Sequence, residues 1–291
     1  MESIVSITSQ SQPIWLRIIR FPLVRIFVLG PIIFYMMMLN NGFMATYKET
    51  PLISIGITIC MGLAAIAIYY AYGRIVEGRE VTELSTPGMG REWGVGALIG
   101  GGLITGCILI LLVLGMYSVD GLNPVSFMIP ALAMAISAGT FEELFFRGVI
   151  FKSVEDMAGS WIALALSSLV FGFTHLLNPA GTLVGAIYIT VEAGILLGAA
   201  YLLTRRLWLA MGVHMMWNYT QSAVFSSVVS GGVFDPGLLN ATFDGPDLLT
   251  GGGFGVESSI FALILCTSAG IVLSVMAYRR GHFLPPPWTR K

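Results

Sequence analysis

Apolar runs separated by short polar connections dominate the chain from its first quarter to its end. They fall at Ile26–Asn40, Pro51–Tyr72, Trp93–Met116, Val125–Phe151, Ser160–Leu177, Gly181–Leu203, Leu207–Val229 and Ser258–Tyr278. Each reaches or approaches the roughly 20 apolar residues that a helix needs to cross a hydrocarbon core. The pattern predicts an all-α fold, a polytopic transmembrane helical bundle of about eight spans. One connection is long. Residues 230–257 carry Gly231, Gly232, Pro236, Gly237, Pro246 and Gly251 to Gly253, and read as a Gly-rich external loop. Ile14 to Arg25 reads either as a short amphipathic helix on the membrane surface or as basic residues flanking the first span.

Composition narrows the class further. The chain has 291 residues, 56% hydrophobic and only 11% charged, where soluble domains carry about 25% charge. The runs leave no length for a separate soluble domain, so 1–291 reads as a single integral membrane domain with the lipid bilayer as its first partner. No basic cluster is interleaved with aromatics, which excludes nucleic acid. Cys60, Cys107 and Cys266 lie inside the runs and are expected to behave as small apolar residues without a disulfide framework. Met1 to Pro13 is polar and lacks the form of a signal peptide. With eight spans every Lys and Arg except Lys48 falls on one side, Arg147 and Lys152 being counted at the end of span four. The positive-inside rule then puts both termini in the cytoplasm.

The pairs Gly96/Gly100, Gly102/Gly106 and Gly194/Gly198 are four apart and predict seams where helix backbones approach closely. Ionisable residues are segregated. Spans one, two, three and eight are clean away from their ends, whereas spans four to seven contain Glu142, Glu143, Arg147, His175, Glu192 and His214. A charged group within the bilayer costs at least about 2.5–3.5 kcal/mol, so a cluster of them marks function. Glu143 and Arg147 share a helix face and form an expected ion pair. On a regular α-helix Glu142 is rotated about 100° from Glu143 and lacks that partner. Phe171 and His175, and His214 and Asn218, are likewise four apart. Glu192 reads as a packing acid or a pore residue and His282 as a solvated tail residue.

Such groups in a protected cavity suit amide hydrolysis, which needs a base for water, donors for an oxyanion and a proton for the leaving amine. Glu142 fits the base, His175 a water-holding or proton-shuttling assistant, and His214 with Asn218 the oxyanion donors. Zinc held by Glu142, His175 and His214 is the alternative use of the same atoms, without the HExxH spacing. A proton-coupled transporter is a competing reading, but no counterpart of the polar spans occurs in the first half.

The motifs EExxxR at Glu142–Arg147, FxxxH at Phe171–His175 and HxxxN at His214–Asn218 resemble those of the CAAX-processing and bacteriocin-processing (CPBP, or Abi) intramembrane endopeptidases, over about 125–219. The resemblance implies a membrane protease whose catalytic core is spans four to seven and whose cavity opens to the cytoplasm. Glu142 would be its base, His175 the assistant, His214 and Asn218 the oxyanion site, and Glu143 and Arg147 supports. The family is often labelled metalloprotease, yet its pattern favours glutamate catalysis with no metal cofactor. It implies a peptide or protein substrate at the membrane, prenylated or not, and the loop resembles that of bacterial members, which points to a prokaryotic cell membrane. A catalytically idle scaffold or immunity protein on the same fold is the remaining alternative. One expectation sits awkwardly. On straight spans His214 lies roughly 10 Å from the cytoplasmic face and His175 roughly 20 Å, unless tilt, a broken helix or a new helix segment capped by Thr140 closes the gap.

Overall fold

The computed structural model describes residues 13–289. The leader reading of Met1 to Pro13 and the terminal cations Arg290 and Lys291 lie largely outside them. Helix α1, Ile14–Ile19, is short and mostly exposed. It ends before Pro22, whose missing N–H and fixed φ suit a first helical position, so the basic stretch splits at Arg20 and Phe21 instead of continuing to Arg25. The long helices follow as α2 (Pro22–Thr46), α3 (Pro51–Val76), α4 (Met89–Val113), α5 (Val125–Ala158), α6 (Ser160–Leu177) and α7 (Leu183–Thr204). Helix α8 runs through Trp208–Tyr219 and the π turn Thr220–Val224. Helix α9 is Ile260–Arg279.

Seven of these are long and apolar enough to span a membrane. The remaining one, α8, at the seventh predicted span (Leu207–Val229), has 12 residues of α-helix and 5 of π-helix, too few to cross unaided at 1.5 Å per residue. It is enclosed by neighbours instead. Most of its side chains are buried, whereas α2 and α3 expose apolar faces along their length. Packing around α8 depends on glycine. A Cβ on Gly96 or Gly100 of α4 would collide with backbone atoms of Leu209 or Val213, and one on Gly212 with the backbone of Trp93. A Cβ on Gly194 would likewise meet the Ser168 backbone of α6, whereas one on Gly198 would press only on the end of the Leu164 side chain. The seam expected at Gly102 does not form, because nothing lies within 4 Å of a Cβ there.

The loop between α8 and α9 is ordered by a strand the apolar pattern did not reveal. Strand β1 (Tyr117–Leu122) pairs antiparallel with β2 (Leu239–Phe243), with an irregularity between Val119 and Gly121. Tyr117 anchors the pair, its ring 4.9 Å from Phe243 and its hydroxyl donating to the Phe225 carbonyl at 3.1 Å. Burial pushes the Tyr117 phenol up to about 12.

The opposite end of the bundle is tied by charge. Arg25 of α2 bonds Glu77 at 2.6 Å and Asp156 of α5 at 3.1 Å, and Arg79 bonds Glu77 at 2.6 Å and Glu83 at 2.7 Å. Tyr69 donates to Glu83 at 2.6 Å and to the Gly148 carbonyl at 2.9 Å. Arg205, just past α7, holds the buried Glu155 at 2.6 Å, and Ser160 donates to the same carboxylate at 2.5 Å. His282 also joins this end, half-buried with Nδ1 bonded to the Leu202 carbonyl at 3.0 Å, and so is not the solvated tail residue expected. Arg25, Arg79, Arg205 and Arg280, all grouped on one side by the sequence pattern, thus meet at one end of the molecule. Arg147 does not join them. It lies well inside α5, 1% exposed, and does not mark a helix end.

Candidate active site

Helix α5 carries the site on an unusual winding. From Ala138 to Phe151 it is a π-helix of 14 residues, in which each N–H reaches the carbonyl five residues back. Such windings are commonly single turns and gather at functional sites. Thr140 lies inside this continuous segment, so it caps no new helix. Two shorter π segments flank the same region, Thr190–Gly194 in α7 and Thr220–Val224 in α8. The regular rotation of 100° between Glu142 and Glu143 therefore does not hold, and the two carboxylates approach one imidazole from opposite nitrogens.

That imidazole is His214 of α8. Its Nδ1 lies 2.8 Å from Glu143 Oε1 and its Nε2 lies 3.9 Å from Glu142 Oε2. The first is a hydrogen bond in which the ring N–H donates to the carboxylate. The second is too long for one and leaves space that a small polar group can bridge. Glu143 is fully buried and its Oε1 also accepts from Arg147 Nη1 at 2.8 Å. Arg147 Nη2 points to the Gly194 carbonyl at 3.4 Å, and the guanidinium sits 4.5 Å from the centre of the Phe171 ring. Glu143 Oε2 and Arg147 Nε have no hydrogen-bond partner among the described residues. The predicted ion pair is present, but it is one arm of an Arg147–Glu143–His214 chain. Glu142, with its side chain 23% exposed, is the accessible member.

His175 closes α6, half-buried, with Nδ1 donating to the Phe171 carbonyl at 2.8 Å, which leaves Nε2 free to accept a proton. Its ring lies 4.9 Å from that of Phe171, and the ring of His214 lies 5.8 Å from Phe171 on an edge-on approach. Both imidazoles thus pack against the one ring of Phe171. Helix α6 has the bounds expected of the fifth span and ends in a 3-10 turn that begins at His175. Among the described residues no hydrogen bond or ion pair joins His175 to Glu142 or His214.

Asn218, one turn beyond His214, is buried and shares with it the wall of a cavity of about 30 Å³, lined also by Phe171, Glu192, Ser230 and Glu257. That is room for a water or two in a polar setting. Glu142 and His175 are not on this wall. Sequence reasoning left Glu192 outside the site, yet it is 1% exposed and faces this cavity with Oε2 unpartnered. Trp217, Ser230 and Glu257 were missed as well. Trp217 donates from its indole to Glu257 at 2.9 Å, and Ser230 donates to it from hydroxyl (2.8 Å) and backbone. Burial raises the Glu257 carboxyl above its ordinary value, against Ser230, His175 and Trp217, which draw it down.

The alternative zinc set was Glu142, His175 and His214. Among the described residues no group of three or more His, Cys, Asp or Glu is placed to hold a metal ion. Glu142, His175 and His214 do not fit a shared ion as arranged.

A family model described as type II CAAX prenyl endopeptidase Rce1-like matches residues 124–220. The matched segment contains all seven residues of the three motifs and ends two residues beyond Asn218. No curated protein and no solved structure matches the chain.

Proposed function

We propose, from the membership of residues 124–220 in the Rce1-like family of CAAX proteases, that this chain is an intramembrane endopeptidase working by glutamate-activated water. The observation that carries the reading is the setting of His214, tethered through Nδ1 to buried Glu143 while Nε2 faces Glu142 across 3.9 Å.

Glu142 accepts a proton from water as the oxygen attacks the scissile carbonyl carbon. The carbonyl π electrons move to oxygen, and the resulting oxyanion takes hydrogen bonds from His214 Nε2–H and the Asn218 amide. Glu142 then returns the proton to the amine nitrogen as the C–N bond breaks, so the carboxylate is regenerated. For Nε2 to donate while Nδ1–H is bonded to Glu143, His214 must be an imidazolium. Charge balance supports this, because Glu142 and Glu143 together exceed Arg147 by one negative charge. His175, whose ring packs on Phe171 with Nε2 free, assists by relaying a proton through water. Preorganised donors of this kind are worth about 10²–10³ in rate. The substrate is a peptide or protein segment at the membrane, the bundle end rich in Arg lies in the cytoplasm, and both termini are there.

The test is cleavage of membrane-associated peptides, prenylated and unprenylated, by purified protein in nanodiscs. Glu142→Gln is expected to abolish turnover while preserving the thermal unfolding midpoint. His214→Gln and Asn218→Ala are expected to lower kcat with little change in KM. Turnover that survives Glu142→Gln removes the base assignment, and loss of activity on chelation with recovery on adding zinc replaces the mechanism by a metal-assisted one.

A further inference from the structure

Glu257 lies outside the matched segment, 5% exposed, in a short 3-10 turn just before α9. Its two carboxylate oxygens face different elements. Oε1 accepts the indole N–H of Trp217, the residue next to Asn218 on α8. Oε2 accepts both the hydroxyl and the backbone N–H of Ser230 in the long loop. Ser230 has φ of 50° and Gly231 of 71°, a left-handed pair that a residue with a Cβ such as Ser230 adopts only when held. That conformation aims the loop at the connector after His175. The Ser230 carbonyl accepts from Asn178 Nδ2 at 2.7 Å, the Gly231 carbonyl accepts from the Ala180 N–H at 2.8 Å, and the Gly231 N–H donates to the Phe254 carbonyl at 2.7 Å. A Cβ at Gly231 would press on the backbone of Ala180. An unbroken series of hydrogen bonds therefore runs from the helix that carries His214 and Asn218, through one buried carboxylate, to the connector that begins with His175.

We propose that Glu257 is a positioning residue that latches the long loop between the two halves of the site, fixing Asn218 on one side and His175 on the other. The loop is then part of the catalytic apparatus and not a passive cover. The two flanking elements, α8 and the 175–182 connector, bear the two imidazoles, and the loop spans them at the end of the bundle away from the ion-pair network. The catalytic consequence rests on the peptidase reading, while the latch itself does not, and the experiment separates the two.

Amide hydrogen exchange is measured on the full-length protein in nanodiscs for Glu257→Gln, for the milder Trp217→Phe and for Ser230→Ala. Gln at 257 cannot replace both carboxylate oxygens as acceptors. The latch predicts that exchange rises at least about 10-fold at 228–232 and also in the segments 175–182 and 214–218, with the bundle end around Glu83 and Glu155 unchanged. Trp217→Phe releases mainly 214–218 and Ser230→Ala mainly 228–232 and 175–182. A rise confined to 228–232 overturns the positioning role, and no rise anywhere overturns the latch. In the cleavage assay Glu257→Gln is expected to reduce kcat about 10- to 100-fold, as loss of a supporting carboxylate does elsewhere, with KM within about two-fold. Exchange that rises in all three segments beside an unchanged kcat also overturns positioning. A wild-type protein that cleaves nothing defeats the proposed function and leaves the exchange prediction to stand or fall alone.

Discussion

Glu143 bonds a guanidinium and an imidazole with the same oxygen, and a pair of variants decides which of them it serves. Both distances are 2.8 Å, and Glu143 and Arg147 are 0% and 1% exposed. Arg147→Met keeps the length of the side chain but strips a buried carboxylate of one of its two cationic partners, leaving it His214. Breaking a buried pair from one side costs about 3–5 kcal/mol. Replacing both, as Glu143→Leu with Arg147→Met, removes both charges together with their desolvation penalties, and substitutions of that kind are commonly neutral or stabilising. The double variant is therefore expected to recover most of the stability lost by the single one. Activity should not follow. The His214 Nδ1–H has lost its acceptor, and a hydrogen bond to a charged group is worth about 1.5–3 kcal/mol, which at 1.36 kcal/mol per decade is about 10- to 150-fold in kcat. Thermal unfolding in detergent, run beside peptide cleavage on the same preparations, separates the two. A double variant that is both stable and as fast as wild type refutes the orienting role and returns Glu143 to a structural ion pair.

Acid sensitivity should come from the ion-paired end of the bundle. Burial pushes the Glu83 carboxyl up, but the Arg79 guanidinium and the Tyr69 hydroxyl overcome it and hold the group below its ordinary 4.5. A depressed carboxyl contributes stability above the unfolded value and loses it as pH falls through the lower folded one. Glu83→Gln is thus expected to flatten the part of the stability profile below about pH 4.5, as read by unfolding midpoints across pH. At the other end Tyr117, raised to about 12, contributes stability that is present below its ordinary 10 and lost as pH rises toward 12. Tyr117→Phe removes that alkaline loss and its bond to Phe225, at a cost of about 0.5–1.5 kcal/mol at neutral pH. In the glycine seam, Gly100→Ala drives a methyl group into the Val213 backbone and is expected to cost about 1–3 kcal/mol. Gly102→Ala, with nothing within 4 Å, should leave the midpoint unchanged, and equal effects of the two would contradict the packing described.

The limits of legibility follow from the range of each interaction. Spans and clean helices were readable because the apolar run is a local signal and the bilayer sets its length. The three motifs were readable because spacing of four puts Glu143 with Arg147 and His214 with Asn218 on shared faces, and both relations hold. What spacing does not encode is the winding. Nothing in Ala138 to Phe151 announces i to i+5 hydrogen bonding, so Glu142 was expected to point away from Glu143, whereas both reach His214. The pairing of Tyr117 with Phe243 and of Trp217 with Glu257 joins residues far apart in the chain, for which no periodicity exists to be read. The cations at the other end were seen only as topology signals, because the carboxylates that bury them, Glu77, Glu83 and Glu155, sit in connections or at helix ends where charge needs no explanation. An acid within a span demands a partner and so betrays a site. An acid in a loop does not, which is why Glu257, bonded to both sides of the pocket, was the residue of greatest consequence that local patterns left unmarked.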